Sequence, residues 1–137
     1  MLNMTKPAQH LMYMAQRAAN KTSRPELSPA DFFQALLDMP VGLHLRVLVD
    51  DLELDLAALR METSNWESAP DLGQDWKNVI LLTASAEAEA ASKPYINTGH
   101  VLLALLSLWP EAPCSAAALR AAGGSVQDVR AIITAGS

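Results

Sequence analysis

The chain has a single cysteine, Cys114, so an internal disulfide is excluded and a reducing, cytoplasmic (bacterial) location is the simple expectation. Aromatic residues make up only 5% of the chain although half of it is hydrophobic, so the core must be aliphatic. Leu, Ala and Met dominate such a core, and these favour helices over strands. No apolar run reaches the roughly 18 residues that suggest a membrane span, and "MLNMTKPAQH" lacks the basic-then-apolar layout of a signal peptide. A basic face is missing as well. The net charge is −5, and "QRAANKTSR" offers only Arg17, Lys21 and Arg24, too local a cluster to bind nucleic acid. Those cations suit the negative end of a helix instead.

Groupings that carry chemistry are equally scarce. His10, His44 and His100 form no i, i+4 pair and have no cysteine near them, so no metal site is expected. Ser85, Ser92, Ser107 and Ser115 lie in or at the ends of Ala-rich helices, outside any G-x-S-x-G elbow. Cys114 stands at a helix start, where the dipole could lower its pKa, but it lacks a partner base and reads as a small, half-buried thiol. Carboxylate pairs such as Asp50/Asp51 and Glu87/Glu89 read as solvated helix faces. No "GxxxxGK[ST]" occurs, so no P-loop is present to cradle a nucleotide. The reading is a chain without catalytic residues or cofactor, not an enzyme. A small all-α enzyme is the remote alternative.

What the chain does have is a repeat. Shifting it by 69 residues lays Leu11 and Met12 on Ile80 and Leu81, and Ala15 and Ala19 on Ala84 and Ala88. The same shift lays Phe32-Phe33 on Val101-Leu102 and Ala35-Leu36-Leu37 on Ala104-Leu105-Leu106. After a one-residue slip, Leu56, Leu59 and Arg60 match Val126, Val129 and Arg130. Each half reads as four helices. The first half places them at about 7–21, from Ser28 to before Pro40, at about 41–51, and after Asp55. The second places them at about 72–92, about 97–109, about 113–122, and from Ser125. Ser28, Asn97 and Ser125 are the cap residues, and Pro29 takes a first helical position, where its missing N–H costs nothing. "SRPE" breaks the first helix, and "GG" (123–124) ends the seventh. The fold class is therefore all-α, with two pseudo-twofold-related four-helix repeats in one eight-helix domain. Repeat 1 covers about 7–62, a linker 63–73, and repeat 2 about 74–135, with Trp66 packing back on the body. The first two helices of each repeat, the most apolar, are expected at the centre.

The doubled pattern "A-x3-A … [LI]-x-[ST]-x-x-[FVL]-[FL]-x-A-L-L … L-x-x-[LV]-R" resembles the double Clp-N motif of Clp-type AAA+ unfoldases. The likeness runs from about Gln9 to Thr134 and is clearest at "KPYINTGHVLLALL" and "ALRAAGGSVQDVR". Within that family "NTGH", "LLDMP" before "LHLRVL", and the long linker are most similar to the ClpV (TssH) branch of type VI secretion. The resemblance implies a non-catalytic module that recruits a substrate or adaptor to an AAA+ ring. In the ClpV branch it implies docking of a helical segment of the sheath protein in a groove beside the first helix. It also implies a monomer when isolated. The alternative is a free-standing Clp-N-like regulator acting in trans. In the ClpC branch an acid helps bind phosphoarginine. Here Ala30 and Gly99 hold the matching positions, and neither can accept a charge-assisted hydrogen bond.

The candidate peptide-binding residues are Leu2, Met4, His10, Tyr13, Met14 and Arg17, on and ahead of the first helix. All six methionines lie in the first half, and Met adapts to varied partners. Met14 matches the polar Thr83 and is expected outside the shared core, while Tyr13 matches Leu82 on the shoulder of the apolar stripe. His100 stands about three residues inside a helix start, where a positive charge is disfavoured. It is expected to be neutral, hydrogen-bonded and part of the joint between the repeats.

Overall fold

The computed structural model describes residues 2–21, 27–66 and 75–136. The first half contains α1 (Lys6–Lys21), α2 (Pro29–Asp38), α3 and α4 (Leu56–Ser64). Helix α3 opens as Leu43–Leu45 and runs on into a π-helical stretch, Arg46–Asp51. The second half contains α5 (Trp76–Ala90), α6 (Thr98–Leu108), α7 (Pro113–Ala122) and α8 (Val126–Gly136). Two short strands, β1 (Asn3–Met4) and β2 (Tyr95–Ile96), pair in parallel. No sequence pattern announces this pair, which ties the start of the first repeat to the second.

The helix starts follow local chemistry. At α2 the Asp31 carboxylate accepts from Ser28 N (2.9 Å) and Ser28 Oγ (3.1 Å). At α8 Asp128 takes the same two bonds from Ser125, at 3.1 and 3.0 Å. At α6 the Asn97 amide oxygen accepts from His100 N while His100 Nδ1 accepts from Asn97 N, both at 3.1 Å. One reciprocal device is thus built from Ser-x-x-Asp twice and Asn-x-x-His once, and each time it satisfies backbone donors that a helix start leaves open.

Several boundaries differ from the sequence reading. Helix α5 is described from Trp76, with Asp75 as its cap accepting from Asn78 N at 3.1 Å, and the expected start near Leu72 lies outside the described residues. It ends at Ala90, where Ser92 turns to φ +57° and Lys93 N reaches back to Ala88 O. The expected linker also begins too early, since α4 carries Thr63 and Ser64. The rest of that linker beyond Trp66, like the helix-breaking "SRPE", lies outside the described residues. The third helix does not begin at Val41. Gly42 at φ +135° precedes it, and its ladder then widens, with Leu52 N bonding Val47 O. The wider turns keep Val47 and Leu48 buried while Arg46, Asp50 and Asp51 stay in solvent.

Helices α1, α2, α5 and α6 form the centre, with α1 packed on α2 and α5 on α6. Helix α6 is buried from Thr98 to Leu106, which explains why "VLLALL" shows no polar face. Around this aliphatic centre Phe33 and the three tryptophans gather. Phe33 meets Trp66 edge-on at 5.6 Å and Trp109 at 6.3 Å, and Trp109 meets Trp76 at 4.9 Å. Trp66 therefore packs back on the body, as its position after α4 suggests. Among the described residues no single helix is long and apolar enough to cross a membrane.

Candidate partner-binding surface

The amino-terminal segment is held down by backbone bonds. Leu2 N donates to Ser85 Oγ (3.1 Å), Thr5 N to Ile96 O (2.9 Å), and Gln9 Nε2 to Met4 O (3.0 Å). This fixes Leu2 and Met4 as half-buried residues packed on the core. Met14 is also half-buried against the core, so its match to the polar Thr83 does not place it outside the packing. The candidate residues thus divide into two groups. Leu2, Met4 and Met14 are half-buried, each packed against the core. His10, Tyr13 and Arg17 lie on the exposed stripe of α1, at i, i+3 and i+7. His10 stacks on Tyr13 with ring centres 6.2 Å apart, and Tyr13 is 60% exposed.

Two further exposed apolar side chains belong to the second repeat and were not among the sequence candidates. Leu82 and Tyr95 are each 52% exposed. Leu82 lies one turn before Ser85, which holds Leu2, and Tyr95 pairs with Asn3 in the strand ladder. Both therefore border the tethered amino-terminal segment. The signal for Leu82 was available, since the repeat lays it on Tyr13. These exposed apolar groups beside a half-buried Met/Leu layer are what a docking helix needs: contact area without a competing internal partner.

The rest of the candidate chemistry settles into structure. His100 is buried and Nδ1 is an acceptor, so the ring is neutral; burial lowers its pKa, Glu87 opposes the shift and Lys93 adds to it. Its hydrogen bonds with Asn97 serve the α6 start. The inter-repeat joint is made by its neighbours: Thr98 Oγ1 accepts from His44 N at 3.2 Å, and a Cβ on Gly99 would meet Leu43 Cδ2 at 2.9 Å. Glu87 is not a solvated acid. It receives Arg130 through Nε and Nη2, both at 2.8 Å, and its side chain is only 14% exposed. Among the described residues no three His, Cys, Asp or Glu side chains converge as metal ligands would.

Cys114 is fully buried, and burial pushes its thiol up to about 12, opposite to the lowering expected from the helix dipole. Desolvation of the thiolate outweighs the dipole here. The native protein is therefore expected to resist iodoacetamide at pH 8, with alkylation becoming fast only in denaturant; thiol titration by mass spectrometry checks this.

The fold and surface define an all-α domain of two four-helix repeats with an exposed apolar strip near its amino terminus. That architecture is shared with the crystal structure of the Hsp104 N-terminal domain from Candida albicans. The TM-score is 0.66 at 20% sequence identity, over 96% of this chain and 89% of that one. At this identity the likeness establishes the fold alone. No family model matches the sequence, and no curated protein does.

Proposed function

We propose that the chain is a non-catalytic protein-binding module of the Clp N-domain type, which brings a partner protein to an AAA+ unfoldase in the bacterial cytoplasm. The observation that carries this reading is the doubled Clp-N-like pattern, folded as two four-helix repeats that share the architecture of the Hsp104 N-terminal domain. The finer reading is a ClpV-like domain that receives a helical segment of the type VI secretion sheath. The bound helix lies along the α1 strip, with apolar anchors over Leu2, Met4 and Met14 and its flank against His10, Tyr13 and Arg17. Leu82 and Tyr95 extend the strip onto the second repeat.

The test is a titration of the amino-terminal peptide of the large sheath protein, read by calorimetry. Micromolar-class binding, roughly −8 kcal/mol, is expected. Tyr13→Asp puts a charge on the strip without touching the core, and is expected to weaken binding about tenfold or more with the melting temperature unchanged. Binding insensitive to Tyr13→Asp would move the site elsewhere.

A further inference from the structure

The chain has no broad basic face, but α1 carries a narrow cationic stripe. Residues 1–25 hold four of the 10 Lys and Arg and none of the 15 Asp and Glu, so they carry +4 while the remainder carries −9. Three of these cations, Lys6, Arg17 and Lys21, belong to α1, which contains no acid. Lys6, His10, Tyr13, Arg17 and Lys21 follow one another at steps of four, three, four and four residues, and all five are exposed. With 3.6 residues per turn they share one face, within an arc of about 80°, and the stripe runs about 22 Å along the helix.

The fold does not account for this charge. Arg17 and Lys21 suit the negative end of α1, but Lys6 stands in its first turn, where the dipole disfavours a cation and favours an acid. Elsewhere cations are engaged: Arg60 pairs with Asp38 at 3.1 Å and Arg130 with Glu87 at 2.8 Å. Lys6, Arg17 and Lys21 form no ion pair among the described residues. Nor does the bordering stretch of α5 supply an acid. From Asn78 to Ala86, which includes exposed Leu82 and the Ser85 that holds Leu2, it has no charged residue. The stripe thus combines unpaired positive charge with an apolar border.

We propose, on the reading that the α1 strip is the docking surface, that the partner helix it receives is acidic. One face of that helix carries apolar anchors, and Asp or Glu residues line the edge that meets Lys6, Arg17 and Lys21. A helix suits this stripe better than other anionic partners do. The stripe is one helix wide and as long as a helix of about 15 residues. A membrane or a nucleic acid duplex would bring its negative charge against the acidic remainder of the chain as well. The carboxylates steer the encounter and fix the register, while the apolar anchors supply most of the affinity.

The probes are three alanine-based peptides of about 18 residues, long enough to hold a helix in water. They share one leucine face and differ only along its edge, which carries glutamate, glutamine or lysine. Each is titrated into the whole chain by calorimetry, with backbone amide shifts to locate it. At about 50 mM salt the glutamate peptide is expected to bind about tenfold tighter than the glutamine peptide, and the lysine peptide more weakly than either. At about 500 mM salt the three affinities are expected to converge. The double variant Lys6→Glu/Arg17→Glu, changed only at exposed positions, is expected to reverse the order in favour of the lysine peptide, with the helical circular dichroism retained. Equal affinities at low salt, with shifts on His10, Tyr13 and Arg17, would overturn the acidic partner while leaving the strip as the docking surface. Shifts away from α1, or no binding by any of the three, would overturn it too, and the sheath-peptide titration with Tyr13→Asp then decides separately whether the strip itself fails. Binding to anionic lipid vesicles with the glutamate peptide inert would overturn it in favour of a membrane. Salt-sensitive dimerisation in light scattering, with shifts on α1 and at Asp50 and Asp51, would overturn it in favour of a second copy.

Discussion

Lowering the pH from 7 to 4 is expected to remove about 3 kcal/mol of stability through His44 alone. The side chain is fully buried, and neither ring nitrogen completes a hydrogen bond among the described residues. Burial lowers its pKa from 6.5 to about 4, against a smaller opposing pull from the Leu36 backbone. Between those two values the unfolded chain holds a proton that the folded chain refuses, so the unfolded state binds more protons and acid favours it. The loss begins below about 6.5 and levels off below about 4, and each pH unit crossed between them removes about 1.4 kcal/mol. Urea unfolding of the parent and His44→Leu at pH 7 and pH 4.5 isolates the effect. The variant is expected to show the shallower pH dependence, while His100, whose pKa is lowered in the same direction, is common to both. Parallel pH profiles would mean that His44 carries its charge when folded.

Gly99→Glu is expected to destabilise the fold by at least about 3 kcal/mol, since it buries a carboxylate without a counter-ion. A Cβ at this position would already lie 2.9 Å from Leu43 Cδ2 and 3.0 Å from Ile133 Cγ2. The favourable end of the helix dipole returns only about 0.3–1 kcal/mol, too little to compensate. Arg130, the nearby cation on α8, is already committed to Glu87. Gly99→Ala, which demands only a slight shift of its neighbours, is the control and is expected to cost about 1 kcal/mol. Chemical denaturation checks both. If Gly99→Glu were as stable as the parent, Leu43 and Ile133 would have swung aside, and an acid-lined site at this helix start would again be open to this fold.

The helices were legible where their causes are local. Ser28, Asn97 and Ser125 each act on a residue three positions later, so the caps can be read from a window of four. The repeat made the architecture readable, because one pattern of small and large residues occurs twice. What escaped was non-local. Asn3 pairs with Tyr95, Leu2 with Ser85, and Glu87 with Arg130 across distances that no periodicity reports. The doubled helix start points to His100 as part of the joint between the repeats, and a hydrogen bond across that joint is accepted by the hydroxyl of its neighbour Thr98. Of the binding strip, the α1 stripe could be read from helical spacing. Tyr95 could not, since its exposure depends on where β2 meets β1.

That strand pair also bears on how the chain acquires its shape. Most packing here is between helices close in sequence, as in α1 on α2 and α5 on α6, and such contacts form quickly. The β1–β2 ladder is different: Asn3 must wait for Tyr95. During synthesis the first repeat emerges with Leu2, Met4 and the underside of α1 lacking their partners until α5 and the start of α6 have left the ribosome. The strip assigned to partner binding is thus completed only once the second repeat has begun to emerge. Its two-residue ladder should also be the first to open in the finished protein, so amide exchange at Met4 and Thr5 would report how readily the strip is remodelled when a partner arrives.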